Sequence, residues 1–526
     1  MTKTLLTFGQ MLDAHARLSP ERLGARDLER SLTFREWNLR SRRLANALLG
    51  LGLAPGERVA VLAYNRLEWA EVYAATAKAG LVAVPINFRL SPPEIAFILA
   101  DAGVGAVLAE EGLHGLVEEI RGELDLPEGR FVHFGAERAP SGWRRYESLL
   151  GDARDSAPDV AVVDTDPWAL MYTSGTTGKP KGVIRSHRGM ALLSFVTEIE
   201  LGVDRADDAL LVMPMCHANS LNFFCSYSYA GGVTTIYSRP SFDPEHALDV
   251  MEKCGSTFTS LVPTHYIMML SHARSEQRAR DLGRMQKLMI SSAPARVETK
   301  REIIEMFPNS GLFELYGSSE AGWVTMLHPD EQFDHLGSVG RECVGSAPVK
   351  ILDEAGEELP DGEPGELFSC TPYTFDGYWN LPEKTREAFR GDYCTVGDVA
   401  LRDEHGFLRL IDRKKNMIIS GGENIYPSEV ESVLGASGAV KDVAVIGLPD
   451  DKWGERVHAV VVLHEGATTT AAELGDWCRG KIAGYKRPRS ISFAAQGDIP
   501  RTATGKVQHA ALRQKLLEES KEKVTA

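Results

Sequence analysis

The sequence lacks the cysteine spacing that disulfide frameworks and zinc sites require. Its 526 residues contain seven cysteines, an odd number. These are Cys216, Cys225, Cys254, Cys343, Cys370, Cys394 and Cys478. No two of them form a CxxC pair, the usual unit of a zinc site. A disulfide-stapled domain and a zinc-binding domain are therefore disfavoured, and we expect a cytoplasmic protein.

Long apolar runs are also missing. The longest, such as Val59–Ala63 and Ala459–Leu463, are much shorter than the roughly 18 residues that cross a bilayer. The first ten residues, MTKTLLTFGQ, contain no sustained apolar stretch and no small-residue cleavage pattern. We therefore expect neither an integral membrane segment nor a secretory signal.

Basic residues are fewer than acidic residues in this sequence. Lys plus Arg number 58 against 73 Asp plus Glu, so the net charge is -15. A protein that neutralises many nucleic-acid phosphates carries clustered Lys and Arg, and this chain has no long run of them. We therefore expect no nucleic-acid partner. The 43% hydrophobic and 25% charged residues are typical of a large globular protein with several structural units.

The first 110 residues alternate between helical and strand patterns. Thr33 and Glu36 form a capping-box pattern ahead of a helix that Gly50 and Gly52 should end. Strands are predicted at Arg58–Ala63, Leu81–Ile86 and Ala106–Ala109, and helices at Leu67–Ala79 and from Ser91 onward. Apolar strands joined through helices predict an α/β fold with a mostly parallel sheet covered on both faces.

The pattern changes after Asp412. The last 115 or so residues predict a small α+β domain, with strands at Val443–Ile446, Val457–Leu463 and Ser490–Phe493 and helices at Ala471–Ile482 and Val507–Lys523. We place the domain boundary near Arg413–Lys415, which gives an N-terminal domain of residues 1–412 and a C-terminal domain of residues 413–526.

The strongest local signal is YTSGTTGKPKGV, from Tyr172 to Val183. Glycines allow backbone N–H groups to approach an anion, hydroxyls donate further hydrogen bonds, and lysines add positive charge. The spacing differs from that of the common nucleotide P-loop, because only two residues separate Gly175 from Gly178 and Pro180 follows Lys179. The segment is either a phosphate-binding loop or a flexible hairpin.

Three further segments indicate a function only when they are considered together. LYGSSEAG, from Leu315 to Gly322, offers a Tyr for stacking, hydroxyls for phosphate and a carboxylate for Mg²⁺, or it is an ordinary polar turn. Asp398, ahead of DRKKNMIISGGENIYP (Asp412–Pro427), could accept the hydroxyls of a ribose or be a solvated surface acid. PRTATGK, from Pro500 to Lys506, presents a lysine that is either catalytic or a surface residue.

Taken in order along the chain, these motifs resemble the adenylate-forming superfamily, specifically its AMP-forming acyl-CoA synthetase branch. MPMCHANS (Met213–Ser220) and SSAP (Ser291–Pro294) belong to the same set. The resemblance covers essentially the whole chain. It implies a large N-terminal domain of layered α/β subdomains and a small, mobile α+β C-terminal domain, with the active site between them.

The resemblance also implies roles for individual residues. The proposed catalytic residues are Lys506, Thr176 and Glu320, and the last two would hold Mg²⁺. ATP or AMP would contact Thr173, Ser174, Gly175, Thr176, Thr177, Gly178, Lys181, Ser292, Ala293, Pro294, Leu315, Tyr316, Gly317, Ser318, Ser319, Asp398, Arg413 and Lys506. Among these, Tyr316 would stack on adenine, and Asp398 and Arg413 would hold the ribose.

The implied reaction has two steps. A fatty or aromatic carboxylate attacks the α-phosphorus of ATP and expels pyrophosphate, and the thiol of coenzyme A then displaces AMP from the acyl-adenylate. The C-terminal domain would rotate about a hinge at Lys415 between the steps. It would withdraw Lys506 and present Ser420, Gly421, Gly422 and Glu423 to the coenzyme A channel.

The acyl pocket is the least defined part of the resemblance. Its expected lining is His217, Asn219, Asn222, Phe223, Thr264, Ser291 and Trp323. His217 could instead be a hydrogen-bonded structural histidine. Ser291 and Ser292 stand where relatives often have Gly or Ala, Ser319 stands where they more often have Thr, and Lys415 occupies a hinge site that is often Asp.

Two other functions stay open from the sequence. A related enzyme would pass the adenylate to a carrier protein or oxidise it, although the absence of a carrier domain after Ala526 favours free coenzyme A. A non-catalytic nucleotide-binding protein is disfavoured by the joint presence of Thr176, Glu320, Asp398, Arg413 and Lys506. We further expect a possible homodimer, and a lysine acetyltransferase as a partner that acts on Lys506.

Overall fold

The computed structural model describes residues 7–135, 137–173, 180–275, 280–291, 295, 297–420, 423–450, 452–502 and 505–525. The chain forms two compact units. The first comprises Met1–Pro348 and Ser369–Cys394, and the second comprises Val349–Phe368 and Thr395–Ala526. The second unit therefore also contains chain that precedes Arg413. The hinge predicted at Lys415 is a statement about domain motion. The division into compact units does not test it, so the hinge stays a prediction.

The helices are α1 (Phe8–Leu18), α2 (Phe34–Gly50), α3 (Glu68–Ala79), α4 (Pro92–Ala102), α5 (His114–Glu118), α6 (Tyr146–Gly151), α7 (His187–Leu201), α8 (Ala218–Ala230), α9 (Pro244–Cys254), α10 (Pro263–Ser275), α11 (Val297–Met306), α12 (Pro382–Ala388), α13 (Pro427–Gly435), α14 (Ala471–Trp477) and α15 (His509–Thr525).

The strands of the first unit are β1 (Leu23–Arg26), β2 (Ser31–Thr33), β3 (Arg58–Leu62), β4 (Val82–Ile86), β5 (Val104–Glu110), β6 (Phe131–Phe134), β7 (Arg144–Arg145), β8 (Pro167–Thr173), β9 (Lys181–Ser186), β10 (Asp208–Leu211), β11 (Val233–Ile236), β12 (Phe258–Leu261), β13 (Lys287–Ser291), β14 (Gly311–Ser318), β15 (Gly322–Leu327) and β16 (Arg341–Glu342).

The remaining strands are β17 (Lys350–Leu352), β18 (Gly365–Phe368), β19 (Phe389–Arg390), β20 (Tyr393–Cys394), β21 (Asp398–Arg402), β22 (Leu408–Arg413), β23 (Ile418–Ser420), β24 (Glu423–Ile425), β25 (Val440–Asp450), β26 (Gly454–Leu463) and β27 (Ser490–Phe493). Of these, β19 and β20 pair with each other in the first unit.

Two large sheets organise the first unit. The seven-stranded sheet has the order β7-β6-β5-β3-β4-β8-β9, and the nine-stranded sheet has the order β16-β15-β14-β13-β12-β10-β11-β1-β2. In the seven-stranded sheet every neighbouring pair is parallel except β8–β9. In the nine-stranded sheet β14–β15, β15–β16 and β1–β2 are antiparallel, and the other pairs are parallel. The predicted α/β fold with mostly parallel sheets is confirmed.

Local sequence signals explain where these elements begin. The Glu36 carboxylate accepts the Thr33 backbone N–H at 2.8 Å, and the Thr33 hydroxyl accepts the Glu36 N–H at 3.2 Å. Glu94 accepts the Ser91 N–H at 2.8 Å in the same way. Such reciprocal bonds satisfy N–H groups that the first helical turn leaves unpaired. The capping residues therefore fix α2 and α4 as the sequence predicts.

A continuous apolar core joins α1, α2, α3, α7 and α8 to strands of both large sheets. Its largest buried members include Phe8, Trp37, Trp168 and Phe224, whose rings contact one another at centroid distances of 5.0–6.1 Å. Because aromatic side chains bury large areas, they dominate the free energy of such a core. Helix α8, which carries Asn219, Asn222 and Phe223, thereby belongs to a core that both large sheets share.

The second unit is built on two smaller sheets. One has the order β17-β18-β21-β22, and the other has the order β24-β23-β26-β25 with β27 paired to β26. The predicted strands β25, β26 and β27 are present. The predicted helix Ala471–Ile482 was too long, because α14 ends at Trp477. Gly480 lies just beyond it with a φ of 72°, in the left-handed region that ends helices.

None of the seven cysteines forms a disulfide, and five of them are buried. Burial raises the pKa of the Cys216 and Cys394 thiols to about 12 and raises those of Cys225 and Cys343 further. Across the part of the chain that the structure describes, every helix is too short or too polar to span a membrane.

Candidate functional site

The glycine-rich segment joins two strands at the edge of the seven-stranded sheet. Strands β8 and β9 run antiparallel, and Thr173 lies directly opposite Lys181 at the end of the pairing. The expected phosphate-loop residues Ser174, Gly175, Thr176, Thr177 and Gly178 lie outside the described residues, so the roles of Thr176 in catalysis and metal binding stay predictions. Both ends of the loop are nevertheless fixed side by side by the strand ladder.

Lys181 and Glu320 both contact the side chain of Tyr378. The Lys181 Nζ is 4.4 Å from the centroid of the Tyr378 ring, and the Tyr378 hydroxyl donates to Glu320 Oε1 at 2.9 Å. Tyr378 itself pairs with Val183 of β9 through an isolated β-bridge. The structure thus brings the end of the phosphate loop and the expected Mg²⁺ ligand together, although they are 139 positions apart.

Glu320 lies in the turn between β14 and β15, and its position is tightly determined. The residue is only 8% exposed. The Ser318 hydroxyl accepts the Ala321 N–H at 2.9 Å across the turn. Beneath it, the buried Arg185 guanidinium donates from Nη1 to the carbonyl oxygens of Ser319 and Glu320, at 3.3 and 3.5 Å. Burial lowers the pKa of Arg185, because no described carboxylate lies within ion-pair distance of it.

The donor set at Glu320 fits Mg²⁺ held jointly with substrate. In proteins Mg²⁺ commonly binds one or two carboxylates, and phosphates and waters complete its octahedron. One buried carboxylate, joined through Tyr378 to Lys181 at the end of the expected phosphate loop, meets that description. The described residues contain no group of three His, Cys, Asp or Glu side chains that could hold a metal ion by themselves.

Glycine makes the LYGSSEAG turn possible. A Cβ on Gly317 would lie 2.2 Å from the Gly322 carbonyl oxygen, and one on Gly322 would lie 2.5 Å from the Tyr373 ring. Gly322 also has a φ of 70°, which side chains disfavour. Residues larger than glycine at positions 317 and 322 would therefore prevent the turn from closing as tightly. Leu315 and Tyr316, which are buried in β14, lead directly into it.

Most of the expected acyl-pocket residues meet around helix α8. Asn219 Nδ2 donates to the hydroxyls of Ser260 and Ser291, each at 3.0 Å, and its Oδ1 is buried and bonds to no described residue. The Phe223 ring lies 5.1 Å from the Trp323 ring. Ser291 is in register with Leu315, and Trp323 with Gly317, so this cluster adjoins the expected adenine-binding strand.

The other acyl residues differ in their surroundings. His217 caps the start of α8, and its buried Nε2 bonds to no described residue, which is unlike a hydrogen-bonded structural histidine. Burial, with a contribution from the Arg89 charge, lowers the pKa of His217 to about 4. Asn222 is buried in α8. Thr264 is exposed in the first turn of α10, so its pocket role stays a prediction. Ser292, Ala293 and Pro294 lie outside the described residues.

In the second unit, the two expected ribose ligands contact each other. Asp398 and Arg413 are paired across β21 and β22, and the Arg413 Nε lies 3.0 Å from Asp398 Oδ1. Asp398 is buried, which sets it apart from a solvated surface acid. Lys415 lies in the short 3₁₀ helix Lys414–Asn416 that directly follows β22.

The expected coenzyme A segment lies in the other sheet of the second unit, and the candidate catalytic lysine lies in the loop between β27 and α15. Ser420 is buried and pairs with Glu423 across the β23–β24 hairpin, whose glycines Gly421 and Gly422 lie outside the described residues. Lys506 is exposed and precedes α15. The Thr502 hydroxyl accepts the Lys506 backbone N–H at 3.1 Å.

Sequence reasoning missed Tyr378, Arg185 and the Arg501–Asp442 ion pair. None of these residues lies in a position where a local pattern reveals its partner, since Tyr378 is 58 positions from Glu320 and Arg501 is 59 from Asp442. Arg501 does belong to the PRTATGK segment. Its positive charge close to a candidate catalytic lysine was the one sequence signal that could have indicated its importance.

Comparisons with known proteins identify the family of the chain. The family model described as AMP-binding enzyme matches residues 12–379, and that described as AMP-binding enzyme C-terminal domain matches residues 429–506. Feruloyl-CoA synthase from an Amycolatopsis species is 35% identical over 95% of this chain and 97% of its own.

Two further proteins are similar over nearly their whole length. The long-chain-fatty-acid–CoA ligase FadD13 of Mycobacterium tuberculosis is 33% identical over 96% of this chain and 98% of its own. The structure of o-succinylbenzoate coenzyme A synthetase (MenE) from Bacillus subtilis in complex with ATP and magnesium ion is 28% identical, with a TM-score of 0.84, over 95% of this chain and 98% of that one. The chain therefore belongs to the AMP-binding enzyme family, in the acyl-CoA synthetase branch that its motifs predict.

Proposed function

We propose that the protein joins an aromatic carboxylic acid to coenzyme A, with ATP cleaved to AMP and pyrophosphate. The observation that carries the proposal is the contact chain Lys181–Tyr378–Glu320, which begins where β9 follows the glycine-rich segment. It joins a cation to a buried carboxylate, and together with a segment suited to phosphate these groups are the combination that a nucleotide polyphosphate requires.

In the first step the acid's carboxylate attacks the α-phosphorus, and pyrophosphate leaves. The obstacle is electrostatic, because an anion approaches a polyanion. The exposed Lys506 ammonium is proposed to offset that repulsion, and the hydroxyls and N–H groups of the glycine-rich loop are proposed to hold the departing pyrophosphate. Bound at Glu320, Mg²⁺ would neutralise phosphate charge.

In the second step the coenzyme A thiol attacks the acyl carbonyl and releases AMP. A bulky thiol needs the space that Lys506 occupies in the first step. We therefore keep the rotation about Lys415 as part of the proposal, with Ser420 and Glu423 facing the thiol afterwards. Asp398 and Arg413, already joined by an ion pair, would hold the ribose throughout.

The choice of an aromatic acid rests on Asn219. Its Oδ1 is a buried acceptor that no described residue satisfies, whereas its amide nitrogen is bonded to two serines. A buried acceptor left unpaired costs about 1–3 kcal/mol. A hydroxyl or N–H on an aromatic acyl group would satisfy it while the ring packs against Phe223 and Trp323. Feruloyl-CoA synthase, a relative named for a hydroxylated aromatic acid, agrees with this choice.

A long aliphatic acid is the second candidate, and the similarity to FadD13 favours it. An alkyl chain has no donor for Asn219 Oδ1, so the two candidates predict opposite effects of one substitution. Asn219→Leu should weaken activity on a hydroxycinnamic acid and improve it on a fatty acid of similar length.

The test is mass spectrometry of the products after incubation with ATP, Mg²⁺, coenzyme A and a panel of hydroxycinnamic, unsubstituted cinnamic and fatty acids. Acyl-CoA with AMP, formed fastest from the hydroxylated aromatics, is the expected result. Fastest turnover of fatty acids would overturn the aromatic assignment. Acyl-AMP that accumulates without thioester would make a carrier protein the acceptor, and no nucleotide consumption would overturn the whole proposal.

Three further properties complete the proposal: a cytoplasmic location, a homodimeric state and regulation by acetylation of Lys506. The exposure of Lys506 supports the last, because a modifying enzyme must reach the ammonium group. Acetylation removes the charge that the first step uses. Protein acetylated stoichiometrically at Lys506 should lose acyl-adenylate formation, and full activity in that state would contradict the idea.

A further inference from the structure

The loop that carries Lys506 is closed by bonds within itself. Arg501 and Val507 form an isolated β-bridge. The Thr502 N–H donates to the Lys506 carbonyl at 2.7 Å, and the Gln508 N–H donates to the Pro500 carbonyl at 2.8 Å. These bonds join described residues at the two ends of the loop, and none of these bonds reaches another element.

Arg501 makes that outside connection. Its Nη1 donates to the Gly505 carbonyl at 2.6 Å, and its Nη2 donates to both carboxylate oxygens of Asp442, at 2.6 and 2.7 Å. Asp442 lies in β25, and its Oδ1 also accepts the Val443 N–H at 2.9 Å. One guanidinium therefore joins the residue before Lys506 to a strand in the core of the second unit.

The bonded carbonyl has a direct geometric consequence. The Gly505 carbonyl and the Lys506 N–H belong to one planar peptide group. Arg501 holds the oxygen of that group, and the Thr502 hydroxyl holds its N–H at 3.1 Å. Gly505 has a φ of 83°, in the region open chiefly to glycine, so this peptide could turn readily if it were released. A turn of the peptide changes the direction in which the Lys506 side chain leaves the backbone.

We propose that Arg501 and Asp442 form a positioning pair that sets the direction of Lys506 for acyl-adenylate formation. The inference rests on the proposed role of Lys506. Both side chains are 37% exposed, so the pair contributes little to folding, about 0–1 kcal/mol. Its effect belongs to the chemistry instead, because a displacement of about 1 Å in a reacting group can cost roughly 100-fold in rate.

The experiment measures the two half-reactions separately in Arg501→Met, Asp442→Asn, Arg501→Lys and the double variant Arg501→Met/Asp442→Asn. Acyl-adenylate formation is followed by ATP–pyrophosphate exchange, and thioester formation is started from synthetic acyl-adenylate and coenzyme A. Arg479→Met is the matched control, because Arg479 forms a 2.7 Å ion pair with Asp476 in the same unit, and neither residue belongs to a candidate functional segment.

The expected result is a fall of roughly 10- to 100-fold in the kcat of adenylate formation for Arg501→Met, with thioester formation within about twofold of wild type. The double variant should be no slower than Arg501→Met, since the two residues act as one unit. Arg501→Lys should recover part of the loss, because an ammonium group reaches one partner but not both. Arg479→Met should leave both half-reactions unchanged.

The positioning role is overturned if Arg501→Met forms adenylate at the wild-type rate, if both half-reactions fall equally, or if the effects of the two single substitutions multiply in the double variant. Lys506→Ala, measured alongside, separates this failure from failure of the proposed function. If Lys506→Ala also keeps adenylate formation, the proposed role of Lys506 is wrong. If Lys506→Ala loses it and Arg501→Met does not, only the positioning pair is wrong.

Discussion

The two charged residues proposed to act on the nucleotide phosphates are held in contrasting ways. Glu320, in the first unit, is buried in a turn between two paired strands, with Tyr378 on its carboxylate and Arg185 beneath its backbone. Lys506, in the second unit, is exposed. The ion pair between Arg501 and Asp442, whose side chains are each 37% exposed, links its loop to β25.

The surroundings of Glu320 form a fixed framework, whereas the attachment of the Lys506 loop can be broken and remade. A buried group that loses its partner pays the full cost of desolvation, whereas an exposed ion pair breaks and reforms at a cost of about 1 kcal/mol or less. The framework around Glu320 therefore suits a residue needed in one place throughout. The attachment of Lys506 suits a residue that the proposed mechanism uses in one step and removes in the next.

The strongest test of this contrast is Lys506→Ala. Removing the ammonium group should lower acyl-adenylate formation by roughly 100- to 1,000-fold, the usual effect of losing one electrostatic contact in a transition state. Thioester formation from supplied acyl-adenylate should stay near the wild-type rate. Pyrophosphate release and thioester formation, measured separately, check this, and an equal loss in both would show that Lys506 does not alternate between steps.

A smaller effect is expected from Arg185→Met. The substitution removes the donor beneath Ser319 and Glu320, so adenylate formation should fall by about tenfold as the turn loosens. The melting temperature should not fall, because the variant also removes a buried charge without a described carboxylate partner. Calorimetry and pyrophosphate release measure the two effects. Arg386→Met, which breaks an exposed pair with Glu383, should change neither, and a large loss of stability in Arg185→Met would contradict this account.

The two units should also differ in sensitivity to acid. Burial lowers the pKa of His187 to about 3 and those of His217 and His265 to about 4 in the first unit, and that of His458 to about 4 in the second. Below pH 6.5 the unfolded chain takes up protons that these histidines cannot accept when folded. The free energy of unfolding should then fall by about 1.4 kcal/mol per pH unit for each of them.

Differential scanning calorimetry at pH 7.5 and 5.5 checks this expectation. The transition with the larger enthalpy belongs to the first unit, because enthalpy scales with size, and it should shift more than the other. His187→Phe, at a ring stacked on Trp168, should reduce the shift, whereas His405→Asn at an exposed site should not. A larger shift in the smaller transition would contradict the prediction.

The smallest effect is expected from Tyr378→Phe. It removes the hydroxyl that bonds Glu320 but keeps the ring under Lys181. Adenylate formation should fall several-fold, and half-maximal activity should require more Mg²⁺, because the carboxylate loses one of its fixed contacts. Titration with Mg²⁺ measures this. Tyr146→Phe removes an equivalent hydroxyl bond to Glu71 away from the site, so it should lower stability without moving the Mg²⁺ requirement, and identical titrations for both variants would exclude a role for Tyr378.

The sequence predicted the features whose causes are local. The starts of α2 and α4 depend on bonds between residues three positions apart, at Thr33 and Ser91, and both are where the capping patterns predict. The predicted strands Arg58–Ala63 and Leu81–Ile86 match β3 and β4, because runs of apolar residues mark both. Each of these signals lies within a few residues of the structure that it specifies.

Features that depend on distant chain were not predictable. The Tyr378 hydroxyl and the Asp442 carboxylate carry no local mark of their partners Glu320 and Arg501. The exposure of Thr264 depends on how α10 packs on the nine-stranded sheet, which periodicity alone does not fix. The end of α14 was missed because the helical pattern continues past Trp477, although Gly480 adopts a backbone conformation that stops it.

The burial of the cysteines has a practical consequence for observing the proposed hinge. Maleimide dyes react with thiolates, and thiols with a pKa of about 12 or above are almost entirely protonated near neutral pH. Once the partly exposed Cys254 and Cys370 are replaced, cysteines introduced on the surface of each unit would carry the only fast-reacting thiols among the described residues. A donor and an acceptor dye placed in this way would report the distance between the two units during turnover.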